Sequence, residues 1–467
     1  MKHWLQRLRG KYRPMDRRER GVAMLVVLTW LALMISLVSE FTYGTTVDAA
    51  QAANARDEIR AHYLARSSVN LSRLLIKIQQ KFVDPAMGQA KQMLQTALGG
   101  SNANNSSTGA AGAASNPMSP LSFSLRVTDY AGPLMGFFSG SKEEVSSLGN
   151  LIGIDTAGIK GLGLKSGSFD AEITAEDGKI DVACGSGVTP TRSRQLTVYR
   201  LLIGLMTSRR FDRLFSEADT TGQFTTRPEV ARAIIDWADA DDQMFSPEGA
   251  SGSEDYKYDA RADRYRAHDN SYDSIEELKM VRGVSDAFME AFAPHLTVYA
   301  SDPECRVNLG AISNKNGGDC TPLLMGIVRA AATPDPTKPP TDPSVLDDSR
   351  LYPIASVACD RASAAGFDNL QSITQLMKNP QTAVMPDDPR YRIFQGMQPI
   401  TINDGELAKL AKVEAPRVYR IVATGVSGRV KKKITVIVDT RRSIANPLTM
   451  NPAAEKAAGV LQYWREE

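Results

Sequence analysis

The sequence predicts an α+β fold: a long N-terminal helix packs on a small antiparallel sheet, and a large α-helical domain is inserted between the strands. Three observations support it. Residues 45–84 contain no glycine or proline and repeat apolar side chains at helical spacing. Strand-like alternation occurs both before and after a long block with helical periodicity. Because the separated strands must find hydrogen-bonding partners, we expect them to form one sheet beside the inserted helices.

The N-terminal segment has the charge pattern of a membrane anchor. Residues 1–20 carry eight Lys or Arg against two acids, and residues 22–38 carry no charge. About 17 residues at about 1.5 Å each give a helix of roughly 26 Å, which with its flanks just crosses a hydrocarbon core of about 30 Å. The basic flank places Met1 in the cytoplasm and everything after Glu40 across the membrane.

Three kinds of segment fit this pattern: a cleaved signal peptide, a plain anchor and a prepilin leader. A signal peptide would have a shorter apolar run followed by small residues, and Val47-Asp48-Ala49 lies far beyond the apolar end. The junction Arg18-Glu19-Arg20-Gly21-Val22-Ala23-Met24-Leu25 resembles a prepilin peptidase site, where cleavage follows the glycine and the new amine is methylated. A residue without a side chain lets the backbone lie extended in a protease cleft. We therefore expect cleavage between Gly21 and Val22.

Segments further along the chain resemble pseudopilin K of type II secretion, and their spacing supports the resemblance more than any one of them. They are Gly178-Lys179-Ile180-Asp181-Val182, Ile234-Ile235-Asp236-Trp237-Ala238-Asp239-Ala240-Asp241-Asp242, Ile275-Glu276-Glu277-Leu278-Lys279-Met280-Val281-Arg282-Gly283-Val284 and Arg306-Val307-Asn308-Leu309. The resemblance implies a pilin-like fold and a non-catalytic minor pseudopilin at the tip of the pseudopilus, which supports assembly initiation and protein export across the outer membrane. It implies as partners the minor pseudopilins I and J, the major pseudopilin, prepilin peptidase and the inner membrane, with most of the chain in the periplasm.

The fifth residue after the predicted cleavage point is Val26, where most pilins have a glutamate. In the family that the chain resembles, an apolar residue is usual at this place. The glutamate pairs with the N-terminal amine of the subunit above and offsets a charge buried in lipid. A subunit with nothing above it needs no such partner, so Val26 predicts the topmost position in pseudopilus packing.

We expect seven segments along the chain. They are a basic leader (1–21), a transmembrane part of the N-terminal helix (22–40), its periplasmic part (41–84), a low-complexity linker rich in Gly, Ala, Ser and Asn (99–120), the first part of the sheet domain (121–188), the helical insertion (189–400) and the C-terminal strands (401–467). Strands are expected at 123–127, 169–173, 178–182, 418–425 and 434–438, the last two forming a hairpin.

Acidic side chains cluster in the middle of the insertion. They are Asp236, Asp239, Asp241, Asp242, Glu248, Glu254, Asp255, Asp259 and Asp263, interleaved with glycine and serine. Calcium takes about six to eight oxygen ligands, which a flexible loop rich in carboxylates and carbonyls supplies. The loop is not an EF-hand, and a solvated acidic surface is the alternative. Because the family that the chain resembles binds calcium here, we expect one or two Ca²⁺ ions. The expected ligands are Asp239, Asp241, Asp242, Glu254 and Asp255.

The four cysteines, Cys184, Cys305, Cys320 and Cys359, show no CxxC spacing. Outside the cytoplasm, disulfide pairing is expected. The sequence suggests a bond between Cys305 and Cys320 that closes a Gly/Asn-rich loop, with buried free thiols as the alternative.

Other function classes fit the sequence less well. The net charge is +2, with acids in the middle, whereas a nucleic-acid-binding domain is more uniformly basic. Residues 277–284 resemble half of a helix-hairpin-helix, but Ser285 replaces its second glycine and acids surround it, so we interpret it as structural.

There are four histidines, and GxSxG, HExxH and P-loop motifs are absent, so we expect no enzyme. The competing class is a binding module: a type IV pilus minor pilin or a membrane-anchored adhesin.

Overall fold

The computed structural model describes residues 17–86, 88–89, 126–139, 167–186, 191–216, 225–241, 243–249, 252, 266–299, 302–314, 318–441 and 459–467. It confirms the predicted fold class. A long helix packs on one face of a four-stranded antiparallel sheet, and a large helical domain packs against the other face. The predicted linker at 99–120 lies outside the described residues.

The described helices and strands follow in chain order. The α-helices are α1 (Arg17–Ile78), α2 (Val127–Ser139), α3 (Arg192–Met206), α4 (Asp212–Ser216), α5 (Arg227–Asp236), α6 (Asp286–Phe292), α7 (Thr321–Ala332), α8 (Asp348–Ala364), α9 (Gln371–Lys378), α10 (Pro389–Phe394) and α11 (Asp404–Leu410). The strands are β1 (Ser168–Ala175), β2 (Ile180–Asp181), β3 (Leu296–Thr297), β4 (Val307–Asn308), β5 (Ala411–Lys412), β6 (Val418–Ser427), β7 (Val430–Asp439) and β8 (Val460–Glu466).

Helix α1 continues through a π-turn at Gln79–Val83, as the absence of glycine and proline before Pro85 predicts. Its small buried residues Ala61 and Ala65 lie against the sheet. At Gly425 the approach is so close that a Cβ atom would collide with the carbonyl oxygen of Ala61. Small residues on both surfaces therefore let the backbone of the helix contact the backbone of the strands.

The sheet has the order β1-β6-β7-β8. The strand before the helical domain, β1, pairs antiparallel with the strand after it, β6, from Ser168 opposite Val426 to Ala175 opposite Tyr419. The predicted hairpin is confirmed as β6 and β7, with longer strands and a tighter turn at Gly428, whose φ is +57°.

Two predictions for the region before the helical domain need correction. Val127, predicted as the end of a strand, is the first residue of α2, while 123–125 lie outside the described residues. Val127, Ala131 and Met135 are buried at helical spacing against α1 and the sheet, and this pattern overrides the short alternation before it. The predicted strand at 178–182 is reduced to β2, which pairs with β3 in the helical domain rather than with the sheet.

The helical domain occupies the connection between Ala175 and Val418, wider than the predicted 189–400. It begins earlier because Ile180 and Val182 belong to its core, and it ends later because β5 pairs with β4. Its centre is the crossing of α3 and α7, where Gly204 faces the backbone of Gly326.

Two buried carboxylates join the domains. Glu176 accepts hydrogen bonds from Lys179 at 2.9 Å and from Arg420 of β6 at 2.6 Å. Asp177 accepts from the Arg417 backbone N–H at 2.9 Å and from the Asn308 amide at 3.3 Å. Burial raises the pKa of Asp177 to about 6. These contacts tie the outgoing and returning segments together and orient the helical domain on the sheet.

The predicted disulfide between Cys305 and Cys320 is wrong. Cys184 pairs with Cys305, with Cα atoms 5.5 Å apart, and Cys320 pairs with Cys359, with Cα atoms 5.6 Å apart. Tertiary packing decides the pairing: Cys184 follows β2, which lies beside β3, and Cys320 immediately precedes α7, which packs against α8. Proximity along the chain therefore misled the sequence-based choice.

Candidate functional site

The first candidate site is the N-terminal helix. Within the part of the chain that the structure describes, one helix, Val22–Ala86, is long and apolar enough to cross a membrane, by length and composition. Its apolar window is entirely exposed in the isolated chain. Val22 is 62% exposed and Val26 is 49% exposed, so neither packs against the body of the protein. Gly21 lies inside α1 rather than before it.

The part of α1 beyond the apolar segment has two faces. One face binds the sheet, where the Ser68 hydroxyl donates to the Asp170 carbonyl at 2.9 Å. The other face carries large apolar side chains that stay exposed: Ile59, Tyr63, Leu74, Ile78 and Phe82. Their separations of 4 and 11 residues place them on one side of the helix. We call these five residues the outer stripe.

Basic residues follow the outer stripe. Arg66, Lys77 and Lys81 each lie three residues after one of its members, and none of them forms an ion pair with a described residue. An apolar stripe with uncompensated cations beside it is complementary to an apolar surface with acidic groups.

The second candidate site is the acidic loop after α5. Asp239 is 1% exposed, and its Oδ2 accepts a hydrogen bond from the Gln195 amide at 2.7 Å. Its Oδ1 is buried and has no partner among the described residues. Burial and the neighbouring carboxylates of Asp236, Asp241 and Asp269 raise the pKa of Asp239 to about 8. A buried oxygen without a donor, surrounded by other carboxylates, is the environment that a cation would stabilise.

Backbone hydrogen bonds hold the carboxylates around Asp239. Asp236 accepts from the Phe245 N–H at 2.7 Å, and Asp241 accepts from the Gln243 N–H at 2.8 Å. Asp269 donates its own N–H to the Trp237 carbonyl at 3.2 Å and has a φ of +51°. This left-handed conformation, which aspartate tolerates better than most residues, brings Asp269 back to the end of α5.

The structure brings two of the five predicted ligands, Asp239 and Asp241, to this place. Asp242, Glu254 and Asp255 lie outside the described residues, within which no group of three or more metal-ligating side chains meets in ligand geometry. Sequence reasoning missed Asp269, which lies 30 residues beyond Asp239. The only sequence signal for it was an Asp-Asn pair typical of a turn.

Residues 277–284, which resemble half of a helix-hairpin-helix, have a structural role here. Gly283 has a φ of +81°, and a Cβ atom there would lie 2.7 Å from Thr225 and 2.8 Å from Val230 of α5. Glu277 accepts from the Trp237 indole at 2.8 Å and pairs with His268 at 2.8 Å. Through these contacts, the hairpin stabilises the acidic loop.

Comparisons with known proteins show similarity to one family model and to one solved structure. A family model described as type II secretion system protein K matches residues 204–301, which run from the α3–α7 crossing through the acidic loop to β3. No curated protein matches the chain. A solved structure, described as the GspK–GspI–GspJ complex of the type 2 secretion system from enterotoxigenic Escherichia coli, is similar at 12% identity and a TM-score of 0.37, over 65% of this chain and 80% of that chain. A likeness this distant carries no argument of its own. The family match confirms the resemblance predicted from the sequence: residues 204–301, within the helical domain, match the model of type II secretion system protein K.

Proposed function

We propose that this chain is a non-catalytic minor pseudopilin at the tip of the type II pseudopilus, where it supports assembly initiation and protein export across the outer membrane. The observation that carries the proposal is the match of residues 204–301 to type II secretion protein K. The same chain has one N-terminal helix that is long and apolar enough to cross a membrane. The apolar segment anchors the chain in the inner membrane, and the basic flank leaves the body in the periplasm.

In this proposal, residues 22–82 pack among the helices of the minor pseudopilins I and J, with the major pseudopilin below. The outer stripe supports it, because the sheet already covers the opposite face of α1. Val26 suits the topmost position. A subunit there has no subunit above it, so no N-terminal amine needs a glutamate partner at this place. The helical domain, inserted between β1 and β6, would block the addition of a further subunit.

Processing by prepilin peptidase should give Val22 as the mature, methylated N-terminus. Gly21 lies inside α1, so cleavage requires the first turn of the helix to unwind, which a glycine makes less costly. We expect mass spectrometry of the membrane-extracted protein to find methylated Val22 when the peptidase is present and uncleaved chain when it is absent.

A Gly21→Leu variant should remain uncleaved, whereas Gly44→Leu, at an exposed glycine of the same helix, should be processed normally. An intact Met1 in the presence of the peptidase, or a start near Ala50, would refute the pseudopilin proposal and favour an anchored binding module. Processing without co-purification of pseudopilins I and J would favour a type IV pilus minor pilin.

The acidic loop, in this proposal, binds one or two Ca²⁺ ions. Its support is the orphaned Oδ1 of buried Asp239 among three other carboxylates, a set of hard oxygen donors that suits calcium. Asp239 and Asp241 are the described residues that would hold the ion, with Asp269 as a further candidate and Asp242, Glu254 and Asp255 from the same loop. Bound calcium would neutralise the cluster and order the loop.

Calcium should raise the unfolding temperature of the purified protein, and EGTA should reverse the effect. Asp239→Asn replaces the buried carboxyl group by an amide that cannot ionise, so we expect the EGTA-treated variant to be at least as stable as the wild type and to gain little from calcium. Glu290→Gln, an exposed acid on α6, is the control and should respond as the wild type does. An equal calcium response in Asp239→Asn would contradict this assignment.

A further inference from the structure

A cavity of about 400 Å³ lies where α1, α2, the sheet and the helical domain meet. Its apolar walls include Val127, Ala311, Phe367 and Val413. The π-turn of α1 contributes Gln79, and π-turns inside α-helices are frequent at functional sites. The volume falls in the range of about 300–1,000 Å³ typical of ligand sites. None of the residues that line the cavity belongs to the acidic loop or to the outer stripe.

Arg126 lines this cavity as a cation that forms no ion pair with a described residue. Its guanidinium donates one hydrogen bond, to the Ile312 carbonyl at 3.0 Å, and forms no ion pair with any described residue. Burial lowers its pKa, and Asp129 opposes that shift from beyond ion-pair distance. Gly366 leaves room for this side chain, because a Cβ atom there would lie 2.7 Å from an Arg126 Nη. The sequence from Pro85 to Leu125, just before Arg126, contains no acid that could pair with it.

Two further donors lie beside Arg126. Thr128 lines the same cavity, and its buried hydroxyl has no hydrogen-bond partner among the described residues. Both residues stand at the N-terminus of α2, a helix of 13 residues, where the Asp129 N–H donates to the Arg126 carbonyl at 2.9 Å and the helix dipole favours an anion. Guanidinium, hydroxyl and helix N-terminus together form an arrangement complementary to a carboxylate.

Acids that line the cavity do not occupy this position. Glu414 is paired with Lys412 at 2.8 Å, and Asp368 is exposed. Asp84 accepts a hydrogen bond from Gln79, and burial raises the pKa of Asp84. None of these acids forms an ion pair with Arg126, and Asp129 favours its charge only from beyond ion-pair distance.

We propose that the cavity binds a carboxylate that carries a small apolar group, held by Arg126 and Thr128 at the start of α2. The apolar walls suit a short hydrocarbon or the side chains of a terminal dipeptide or tripeptide. Two sources share this chemistry: the C-terminal carboxylate of a peptide, and a free carboxylic acid of similar size. The proposal is independent of the assignment to the pseudopilus.

The test is isothermal titration of the full chain in non-ionic detergent with two matched pairs of probes. One pair is the N-acetylated tripeptide Ala-Val-Leu with a free C-terminal carboxylate and its C-terminal amide; the other is hexanoate and hexanamide. We expect at least one carboxylate to bind and its amide to bind about tenfold more weakly or worse, because hydrogen bonds between charged groups are the stronger ones. Peptide binding alone assigns the site to a chain terminus, and hexanoate binding alone assigns it to a small acid.

Arg126→Gln should weaken carboxylate binding by about tenfold or more without lowering the unfolding temperature, because it removes a half-buried charge that forms no ion pair with a described residue. Thr128→Val, which keeps the shape of the side chain, should weaken binding by a smaller factor. Arg429→Gln, at an exposed arginine of the β6–β7 turn, should bind as the wild type does. Equal affinity for carboxylate and amide, no binding of either carboxylate, or unchanged binding in both Arg126→Gln and Thr128→Val would overturn the proposal. If Arg126→Gln does not fold, Thr128→Val and the amide comparison decide.

Discussion

Replacing Cys184 and Cys305 together by alanine is expected to lower the free energy of unfolding by about 5 kcal/mol. The two cysteines are 121 residues apart in sequence, so their bond restricts the unfolded chain over most of the first half of the helical domain. The chain-entropy relation for a loop of that length gives about 5 kcal/mol. Total stabilities of domains are about 5–15 kcal/mol, so the variant should lose much of its cooperative unfolding. Urea unfolding of the full chain in detergent, followed by circular dichroism, measures the change.

The second disulfide provides a matched comparison. Cys320 and Cys359 are 39 residues apart, and the same relation predicts a loss of about 4 kcal/mol when both are replaced by alanine. The two loops do not overlap, so the losses should add in the variant without cysteines. A loss below about 1 kcal/mol for the first pair, or a Cys305–Cys320 link in peptide mapping of the native protein, would contradict the assigned pairing.

Both disulfides lie on the far side of the membrane segment from the basic leader. Disulfides persist in oxidising compartments such as the bacterial periplasm. The positive-inside rule applied to residues 1–20 places the helical domain in that compartment. The two arguments use different residues and different physics, so their agreement strengthens the proposed topology.

The N-terminal helix and the final hairpin could be predicted from the sequence because their signals are local. An uncharged run, a stretch without glycine or proline, and two alternating strands each need only neighbouring residues to be interpreted. Val127 was predicted wrongly because its alternating neighbours at 123–125 and its helical partners at 131 and 135 give conflicting periods. β2 was assigned to the wrong sheet because strand pairing depends on the fold and not on the strand itself.

In the candidate sites, too, local sequence signals predict some residues, whereas others come together only in the fold. Asp239 and Asp241 were predicted from an acidic cluster within one loop, whereas Asp269 reaches it only through a left-handed backbone turn that the sequence does not reveal. The cysteine pairing was wrong for the same reason, because it depends on which elements of the helical domain are neighbours. That Arg126 forms no ion pair with a described residue could not be predicted, since ion pairing depends on the three-dimensional arrangement.

Gly204→Ala is expected to destabilise the helical domain by about 3 kcal/mol, at the upper end of the cost of overpacking. In an exposed helix the same change would stabilise by about 0.5–1 kcal/mol, because alanine is the better helix former. At Gly204 the new methyl group would collide with the Gly326 carbonyl oxygen, and a Cβ at Gly326 would in turn lie 2.9 Å from the Leu205 backbone. Backbone atoms cannot rotate away as a side chain can, so α3 and α7 would have to separate.

Gly44→Ala supplies the control for that substitution, because no described atom lies within 4 Å of a Cβ at Gly44 on exposed α1. In urea, the free energy of unfolding should fall for Gly204→Ala. For Gly44→Ala it should rise or stay unchanged. If Gly204→Ala and the wild type had equal free energies of unfolding, α3 and α7 could not be in the close backbone contact that makes Gly204 necessary. Because α3 packs against α5 and its Gln195 donates a hydrogen bond to Asp239, separation of the crossing should also disturb the acidic loop that follows α5. A loss of the calcium response in Gly204→Ala, with Asp239 intact, would then show that the helix crossing positions the proposed metal site.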